Sequence, residues 1–248
     1  MKFNYHNTAK KIGWNFESIK PTLEQKSDYN YYKAVVECLT TNSTLLDIGC
    51  GSAEKSTRYF SLAKKVYAID IEPEMLKRAT KNAKKYYGEF SKDKFEFILS
   101  DGNSKLGFLD NTFDVVCSRH CGANMSEVFR VLKPNGIFIS EDIDKYDCYS
   151  LKKYFNRGQG FYNSPPIKQQ IFLDGLAAGF SKIELLCFEQ IEYYCCIEQL
   201  EFLLEHTPII NGYNKNVERG ILEKYVKDHT CEKGIKLERN LFAFKLIK

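Results

Sequence analysis

The residues best placed to do chemistry surround a glycine turn that follows an apolar segment. Asp47 precedes Gly49, Cys50 and Gly51 in this turn. Glycine lets the backbone bend sharply and approach a ligand more closely than a side chain would permit. Exposed backbone amides at the start of the next helix can also receive a carboxylate. The segment therefore predicts a site at which the backbone contacts a small ligand.

Polar residues also follow the next three apolar runs of the chain. Asp70 ends the second run, nineteen residues after Gly51, and an acid at such a place can accept hydrogen bonds from both hydroxyls of a ribose. The third and fourth runs are followed by Asp101, Gly102, Ser118, Arg119 and His120. Because ligands bind at the carboxyl ends of parallel strands, these positions are expected to line one crevice.

The elements that must position these residues are strand–helix units. From residue 44 onward, short apolar runs alternate with longer amphipathic segments, which predicts a parallel sheet. The expected strands are 44–48, 66–70, 94–100, 113–118, 137–141, 183–189 and 241–247. The clearest helices are expected at 53–63, after Pro73, at 125–132 and at 166–179. A helical insertion of about fifty residues, 190–238, is predicted between the last two strands.

Composition excludes several classes of protein. The 248 residues are 44% hydrophobic and 27% charged, which is ordinary for a globular protein, and no apolar run reaches the length of a membrane span. Residues 1–20 are polar, so no secretory signal is expected. Nine irregularly spaced cysteines predict reduced thiols and a cytoplasmic protein. The net charge of +4 is scattered, so it permits a nucleic-acid partner without indicating one.

The nearest approach to a metal site is a group of three residues after the fourth apolar run. Cys117, His120 and Cys121 offer three ligands within five residues, but no second cluster completes a tetrahedral set. We therefore predict that the chain has no metal site.

A dinucleotide-binding fold is the main competing interpretation of the glycine turn. Its third glycine would stand three residues after Gly51, where this chain has Glu54, an acid that would repel a pyrophosphate. Asp47 also suits a ligand with an ammonium and a sulfonium better than a ligand with two phosphates. Both residues argue against a dinucleotide ligand.

These segments together resemble a class I, Rossmann-like S-adenosylmethionine-dependent methyltransferase of the small-molecule type. Leu46-Asp-Ile-Gly-Cys-Gly-Ser-Ala53 resembles the first motif of that family, with Ala53 where many members have a third glycine. Residues 67–76 are similar to its ribose-binding segment, and 100–102, 111–116 and 128–136 match the later segments in order.

The resemblance implies S-adenosylmethionine as the cofactor and S-adenosylhomocysteine as the product. It places Gly49, Cys50 and Gly51 at the methionine moiety and Asp70 at the ribose. It places Ile71, Met75, Asp101 and Gly102 around the adenine, and Ser118 and Arg119 along the passage to the acceptor. Aspartates after strands often cap helices, and Met75 at helical spacing is as often a core residue, so these readings stay open.

The resemblance further implies a doubly wound, mostly parallel α/β sheet of seven strands, with helices on both faces and the last strand antiparallel. We expect one domain over residues 1–248. It comprises a helical cap (1–43), a cofactor-binding core (44–141) and the helical insertion (190–238), which is placed to cover an acceptor.

Methyl transfer from a sulfonium depends mainly on holding the acceptor in line, so a general base is optional. His120 is the first candidate for a base because it follows the fourth strand, and a histidine that orients its own loop is the alternative. Glu141 and Asp142 are further candidates.

The acceptor has to be inferred from missing motifs. The fourth strand does not end in the Asn/Asp-Pro-Pro-aromatic motif of adenine or glutamine methylation, and no Pro-Cys pair suits methylation of cytosine at carbon 5. These gaps favour a small-molecule acceptor. An RNA methyltransferase and a non-catalytic S-adenosylmethionine-binding regulator remain alternatives, and the sequence leaves the oligomeric state open.

Overall fold

The computed structural model describes residues 5–14, 16–162 and 165–248. The chain divides into two compact units. The first unit consists of the described residues of Met1–Asp28, Ile143–Ile167 and Cys187–Leu241. The second unit consists of Tyr29–Asp142, the described residues of Lys168–Leu186, and Phe242–Lys248. The predicted cap and insertion boundaries stay predictions, and residues 1–4 and 15 of that cap lie outside the described residues.

The described residues form nine strands: β1 (Thr22–Gln25), β2 (Thr44–Ile48), β3 (Lys65–Asp70), β4 (Phe95–Leu99), β5 (Phe113–Arg119), β6 (Leu132–Ile143), β7 (Lys182–Tyr194), β8 (Thr230–Cys231) and β9 (Gly234–Ile247). The second unit contains β2 to β5 and parts of β6, β7 and β9, and its strand order is β7-β9-β6-β5-β2-β3-β4. Strands β2 to β6 pair in parallel. Lys248, directly after β9, is hydrogen-bonded to Asn135 and Gly136 near the start of β6, so β9 is antiparallel to β6.

The predicted seven-stranded, mostly parallel sheet is therefore confirmed, and β1 and β8 are additional. Both are short, with four and two residues. Their exposed polar residues gave no apolar run from which a strand would be predicted.

Ten α-helices occur in the same described ranges: α1 (Tyr5–Lys11), α2 (Tyr31–Val36), α3 (Glu54–Tyr59), α4 (Pro73–Tyr87), α5 (Ser91–Lys94), α6 (Met125–Val131), α7 (Tyr149–Phe155), α8 (Ile167–Ala178), α9 (Ile197–His206) and α10 (Lys215–His229). Helix α3 is shorter than the predicted 53–63 because the chain continues as a 3-10 turn at Phe60–Leu62. Helices α9 and α10 form the predicted helical insertion. None of the helices in these ranges has the length and apolar character of a membrane span.

The core of the second unit explains why its strands read as continuous apolar runs. Leu45 and Leu46 of β2 project to opposite faces of the sheet, yet both are fully buried. Such burial on both faces is typical of a parallel sheet covered by helices on each side. Helix α4 begins with Pro73 and buries Met75, Ala79 and Ala83 on one face.

The first unit has a core of its own, built largely from α7, α9 and α10. A buried ion network adds to it. The Arg239 guanidinium donates to Asp147 at 2.8 Å and to Glu192 at 3.0 Å, and Asp147 is fully buried. Because a buried charge is costly unless it is paired, loss of any one of these three residues would destabilise this unit.

Candidate functional site

The carboxyl ends of the parallel strands in the second unit lie at one edge of the sheet. The register pairs Ile48 of β2 with Ile69 of β3 and with Ser118 of β5. It also pairs Arg119 with Glu141 of β6. The turns after these strands are therefore neighbours, as the sequence predicts.

The glycine turn after β2 is held by its neighbours on both sides. The Gly49 and Cys50 amides both donate to the Ile69 carbonyl, at 2.9 and 3.0 Å. Gly49 has φ of +73°, and a Cβ atom placed on it would lie 2.5 Å from Cβ of Cys121. Only glycine fits there, because of both the backbone conformation and the close approach of Cys121. Ala53, at the third-glycine position of the motif, also has a left-handed backbone with φ of +49°.

Asp70 fixes the shape of that turn. One carboxylate oxygen accepts a hydrogen bond from the Gly51 amide at 2.8 Å, and the other accepts from the Glu72 amide at 2.9 Å. Burial raises the pKa of Asp70. A carboxylate has about four acceptor positions, so these two hydrogen bonds do not exhaust its capacity for ligand hydroxyls. Capping and ligand binding are therefore compatible at Asp70.

The loop after β4 packs against the end of β2. Asp101 accepts hydrogen bonds from the Asn103 amide at 2.9 Å and from the Ser104 hydroxyl at 3.3 Å, so it organises its own loop. A Cβ atom on Gly102 would collide with the Ile48 side chain, and the Gly102 carbonyl accepts from the Asn124 amide. Gly102 therefore allows the close contact between this loop and β2.

The two residues expected to flank an adenine differ in exposure. Ile71 is 63% exposed although it is a large apolar residue, and it directly follows Asp70. Met75 is 1% exposed and lies beneath the glycine turn, with its terminal methyl 3.4 Å from a Cβ atom placed on Gly51. An exposed isoleucine at a strand end is available to cover a flat ring, whereas Met75 supports the turn from the core.

The end of β5 carries a charged cluster. The Ser118 hydroxyl donates to the Cys121 carbonyl at 2.7 Å, and Nε of Arg119 donates to the buried Glu141 carboxylate at 2.7 Å. His120 has a left-handed backbone with φ of +53°. Its Nε2 atom lies 3.8 Å from Glu141 and its Nδ1 atom 3.8 Å from Asp142. The imidazole therefore lies between two carboxylates, and its backbone conformation is one that non-glycine residues rarely adopt.

Thiols near the turn are not activated as nucleophiles. Burial raises the pKa of Cys121 to about 12, and it raises the pKa of Cys50 well above the usual value. A thiol is nucleophilic as the thiolate, so both residues act as packing groups. All nine cysteines are free, and the described part of the chain contains no group of three or more potential metal ligands.

Asp47 is the buried acid of the site. Its carboxylate accepts hydrogen bonds from the Ser56 hydroxyl and, at 3.6 Å, from the Cys117 thiol. Burial raises the pKa of Asp47 to about 6, and the Asp70 charge adds to this effect. At neutral pH the site therefore keeps a desolvated negative charge that would be stabilised by a cationic ligand.

We expect Asp47→Asn to stabilise the free protein at pH 8 by about 2 kcal/mol but to give no gain at pH 4. The folded pKa of Asp47, about 6, is above the unfolded value. Stability from the protonated form is therefore present at low pH and is lost as the pH rises through about 6. Urea unfolding at both pH values measures the effect, with exposed Asp93→Asn on α5 as the control. Equal gains at pH 4 and pH 8 would contradict this explanation.

Comparison with known proteins gives the family. A sequence model of the methyltransferase domain matches residues 39–176, which is more than half of the chain. The chain belongs to the methyltransferase domain family. Within the matched segment, only residues 143–167 belong to the first unit of the chain.

Relatives of this methyltransferase-domain chain include demethylmenaquinone methyltransferase of Leptospira interrogans. It is 26% identical over 151 residues, which cover 53% of the chain and 59% of the relative. The chain thus spans less than two thirds of the length of this curated relative.

Solved structures also resemble the chain. A Bacillus halodurans protein assigned as a methyltransferase has a TM-score of 0.62 at 18% identity, over 88% of this chain and 98% of that chain. Phosphoethanolamine N-methyltransferase 2 of Haemonchus contortus, solved in complex with S-adenosyl-L-methionine, has a TM-score of 0.55 at 17% identity. That match covers 99% of this chain and 60% of the other. At these identities the structures establish the Rossmann-like fold.

Sequence reasoning missed the positions of Tyr32 and Lys55 in this methyltransferase domain, and it considered Cys121 only as a metal ligand. Cys121 packs against Gly49, and Tyr32 and Lys55 lie beside Arg119. Lys55 follows an acid in a short helix, so its sequence context is that of an ordinary solvent-exposed residue. Only the packing of α2 and α3 at the end of β5 reveals its position.

Proposed function

We propose that the second unit binds S-adenosylmethionine and that the chain is an enzyme transferring the methyl group to a small-molecule acceptor. The observation that carries this proposal is the connection of the glycine turn to Asp70 through the 2.8 Å hydrogen bond from Gly51. The proposal is also supported by membership of the methyltransferase domain family. Gly49 and Gly51 are partly exposed in the turn, and Ile71 offers an apolar surface beside Asp70.

The cofactor would supply an electrophilic methyl carbon on a sulfonium and leave as the neutral thioether S-adenosylhomocysteine. Asp70 would accept hydrogen bonds from the ribose hydroxyls, and Gly49 and Gly51 would admit the methionine moiety. Asp101 and Gly102 would contact the adenine. Asp47 would stabilise the cationic end, because an ammonium restores the interactions that its buried carboxylate lacks. Positioning of this kind supplies most of the acceleration for an in-line displacement.

His120 would receive the proton of an acceptor that carries one. Its Nε2 atom lies 3.8 Å from Glu141 and its Nδ1 atom 3.8 Å from Asp142, so both ring nitrogens are next to carboxylates. Hydrogen bonds of catalytic groups are often long before a substrate is bound. Arg119 and Ser118 would line the approach of the acceptor at the end of β5.

The small-molecule acceptor is supported by the names of relatives such as demethylmenaquinone methyltransferase. A cytoplasmic location is supported by the nine free cysteines, since free thiols are typical of reducing compartments.

Ligand binding tests the proposal first. We expect S-adenosylhomocysteine, but not NAD, to raise the melting temperature, because a ligand that binds only the folded state stabilises it. A response to NAD alone would refute the proposal. A transfer assay with methyl-labelled S-adenosylmethionine against fractionated metabolites and RNA then identifies the acceptor class. Label in the RNA fraction would refute the small-molecule acceptor, and binding without any transfer would refute catalysis.

We expect His120→Asn to lower the rate of methyl transfer into the active metabolite fraction by about 100-fold, the usual contribution of a general base. Affinity for S-adenosylhomocysteine should stay within twofold of wild type, because His120 contacts the acceptor side. His206→Asn is the matched control, since His206 belongs to α9 in the first unit and is hydrogen-bonded to the Phe202 carbonyl. An unchanged rate in His120→Asn would remove the histidine from this role.

A further inference from the structure

Helix α8 packs one of its sides tightly onto the sheet of the second unit. A Cβ atom placed on Gly175 would lie 2.7 Å from the Leu246 side chain on β9 and 3.2 Å from the Ile183 side chain on β7. All three residues belong to the second unit. Gly175 is buried, so the side of the helix that carries it completes the core over β7 and β9.

A second side of α8 is also apolar, yet it is exposed. Phe172, Leu173 and Leu176 are between 38% and 52% exposed. Their spacing of three and four residues places them in one stripe along the helix. The stripe is centred about 100° around the helix from Gly175, so it does not face the sheet. A stripe of large apolar side chains on the surface is typical of a site that another molecule covers.

The strand beneath α8 has an open edge. Among the residues that the structure describes, β7 has the strand neighbours β9 and β1, and the four-residue β1 pairs only with residues 190–193 of β7. Residues 182–186 of β7, which belong to the second unit, therefore have no strand on their outer side within those described residues. Leu185 projects to the same face as Ile183, yet it is 44% exposed. The exposed apolar surface is thus present on the edge strand as well as on the helix.

The two charged residues of this edge complement a second copy of the same strand. Lys182 and Glu184 project to the face opposite Ile183, and their side chains form an ion pair at 2.5 Å. If two copies of β7 pair antiparallel about Ile183, Lys182 of each copy lies opposite Glu184 of the other. Opposite charges in directly facing positions stabilise an antiparallel pair. A lysine alone on an edge strand discourages pairing, whereas this Lys-Ile-Glu segment favours pairing with itself.

We infer that the chain forms a two-fold symmetric dimer through the open edge of β7 and the exposed stripe of α8. Residues 182–186 of the two copies pair antiparallel and join the two sheets, with Ile183 next to the symmetry axis. A two-fold axis perpendicular to the sheet keeps both copies of α8 on one face, where the partner covers the stripe and Leu185. Because each copy contributes the same surface, the assembly closes at two chains. This dimer does not depend on the proposed function.

A charge introduced into the stripe tests the surface. We expect sedimentation equilibrium of the full chain to give twice the 28.8 kDa mass of one chain. Leu176→Glu should raise the dissociation constant of the dimer about 100-fold, because each copy would bury an unpaired carboxylate. Leu109→Glu is the matched control, since it places the same charge on an exposed leucine outside α8 and β7, and it should leave the dissociation constant unchanged.

Two results would overturn the dimer. One is a wild-type mass of a single chain at concentrations up to about 100 µM. The other is an unchanged dissociation constant in Leu176→Glu. Because Leu176 is exposed, the variant should fold, and circular dichroism checks that it does.

Charge reversal tests the pairing of the two strands independently of the stripe. Lys182→Glu and Glu184→Lys should each raise the dissociation constant about tenfold, because like charges then lie opposite each other twice. An equal mixture of the two single variants should form a mixed dimer within threefold of the wild-type dissociation constant, since every facing pair is again of opposite charge. Lys77→Glu, which breaks an exposed ion pair on α4, is the control and should have no effect. A mixture that associates no better than either variant alone would refute the pairing, because the ion pair within one chain stays broken in both variants.

Discussion

Replacing Gly49 by alanine is expected to lower the free energy of unfolding by about 3 kcal/mol. Two costs add up. The left-handed backbone of Gly49, with φ of +73°, costs an L-residue about 1–2 kcal/mol. The new Cβ atom would also lie 2.5 Å from Cβ and 2.6 Å from Sγ of Cys121, and relieving such a collision costs about 1–3 kcal/mol. Urea unfolding of the variant measures the sum.

Two further variants separate these costs. Gly160 has nearly the same φ, +70°, but its added Cβ atom would meet nothing closer than 3.6 Å. Gly160→Ala should therefore lose only the backbone contribution. In a double-mutant cycle, Cys121→Gly should recover the steric part of the Gly49→Ala loss, because it removes both colliding atoms. A loss in Gly49→Ala no larger than in Gly160→Ala, with no recovery by Cys121→Gly, would contradict the packing of Cys121 against the turn.

The sequence predicted the strands that carry the site because both of their faces are buried. Residues 44–48 match β2 to the residue, and β3 and β5 each differ by one residue at one end. The apolar run of each strand stops where the turn that faces the ligand begins. The same sequence pattern therefore predicts both the end of the strand and the position of the site residues. The placement of Asp70 at the end of β3 follows directly from this pattern.

The other strands were harder to delimit. Strand β7 extends to Tyr194, beyond the predicted 183–189, through a segment in which Gln190 and Glu192 interrupt the apolar pattern. Pairing with β1 provides the backbone partners of that segment. A four-residue partner remote in sequence leaves no periodic signal, so the extension could not be predicted.

The division into two units and the charged surroundings of Arg119 were also beyond sequence reasoning. Residues remote from each other in the chain form the first unit. Tyr32 and Lys55 belong to two different short helices, and each has the spacing of an ordinary surface or core residue. Their relation to Arg119 depends on the packing of α2 and α3 on β5, which is a tertiary property.

Cofactor affinity should depend most strongly on Asp70. We expect Asp70→Ala to weaken binding of S-adenosylhomocysteine about 100-fold, because hydrogen bonds to a charged group contribute about 1.5–3 kcal/mol each. The change also removes the acceptor of the Gly51 and Glu72 amides, so the glycine turn loses its support. Calorimetry measures the affinity, and circular dichroism checks that the variant is folded.

The two contributions of Asp70 are separable with the 2′-deoxy analogue of S-adenosylhomocysteine. Wild type should bind this analogue about tenfold more weakly than the parent ligand, because one hydroxyl partner of the carboxylate is missing. In Asp70→Ala the two ligands should bind equally, whereas Glu74→Ala, which removes an exposed acid paired with Lys77 on α4, should behave as wild type. If Asp70→Ala still discriminated between the two ligands by tenfold, the ribose would be held by other groups. Asp70 would then act only as the cap of the turn, through the two backbone hydrogen bonds that it already accepts.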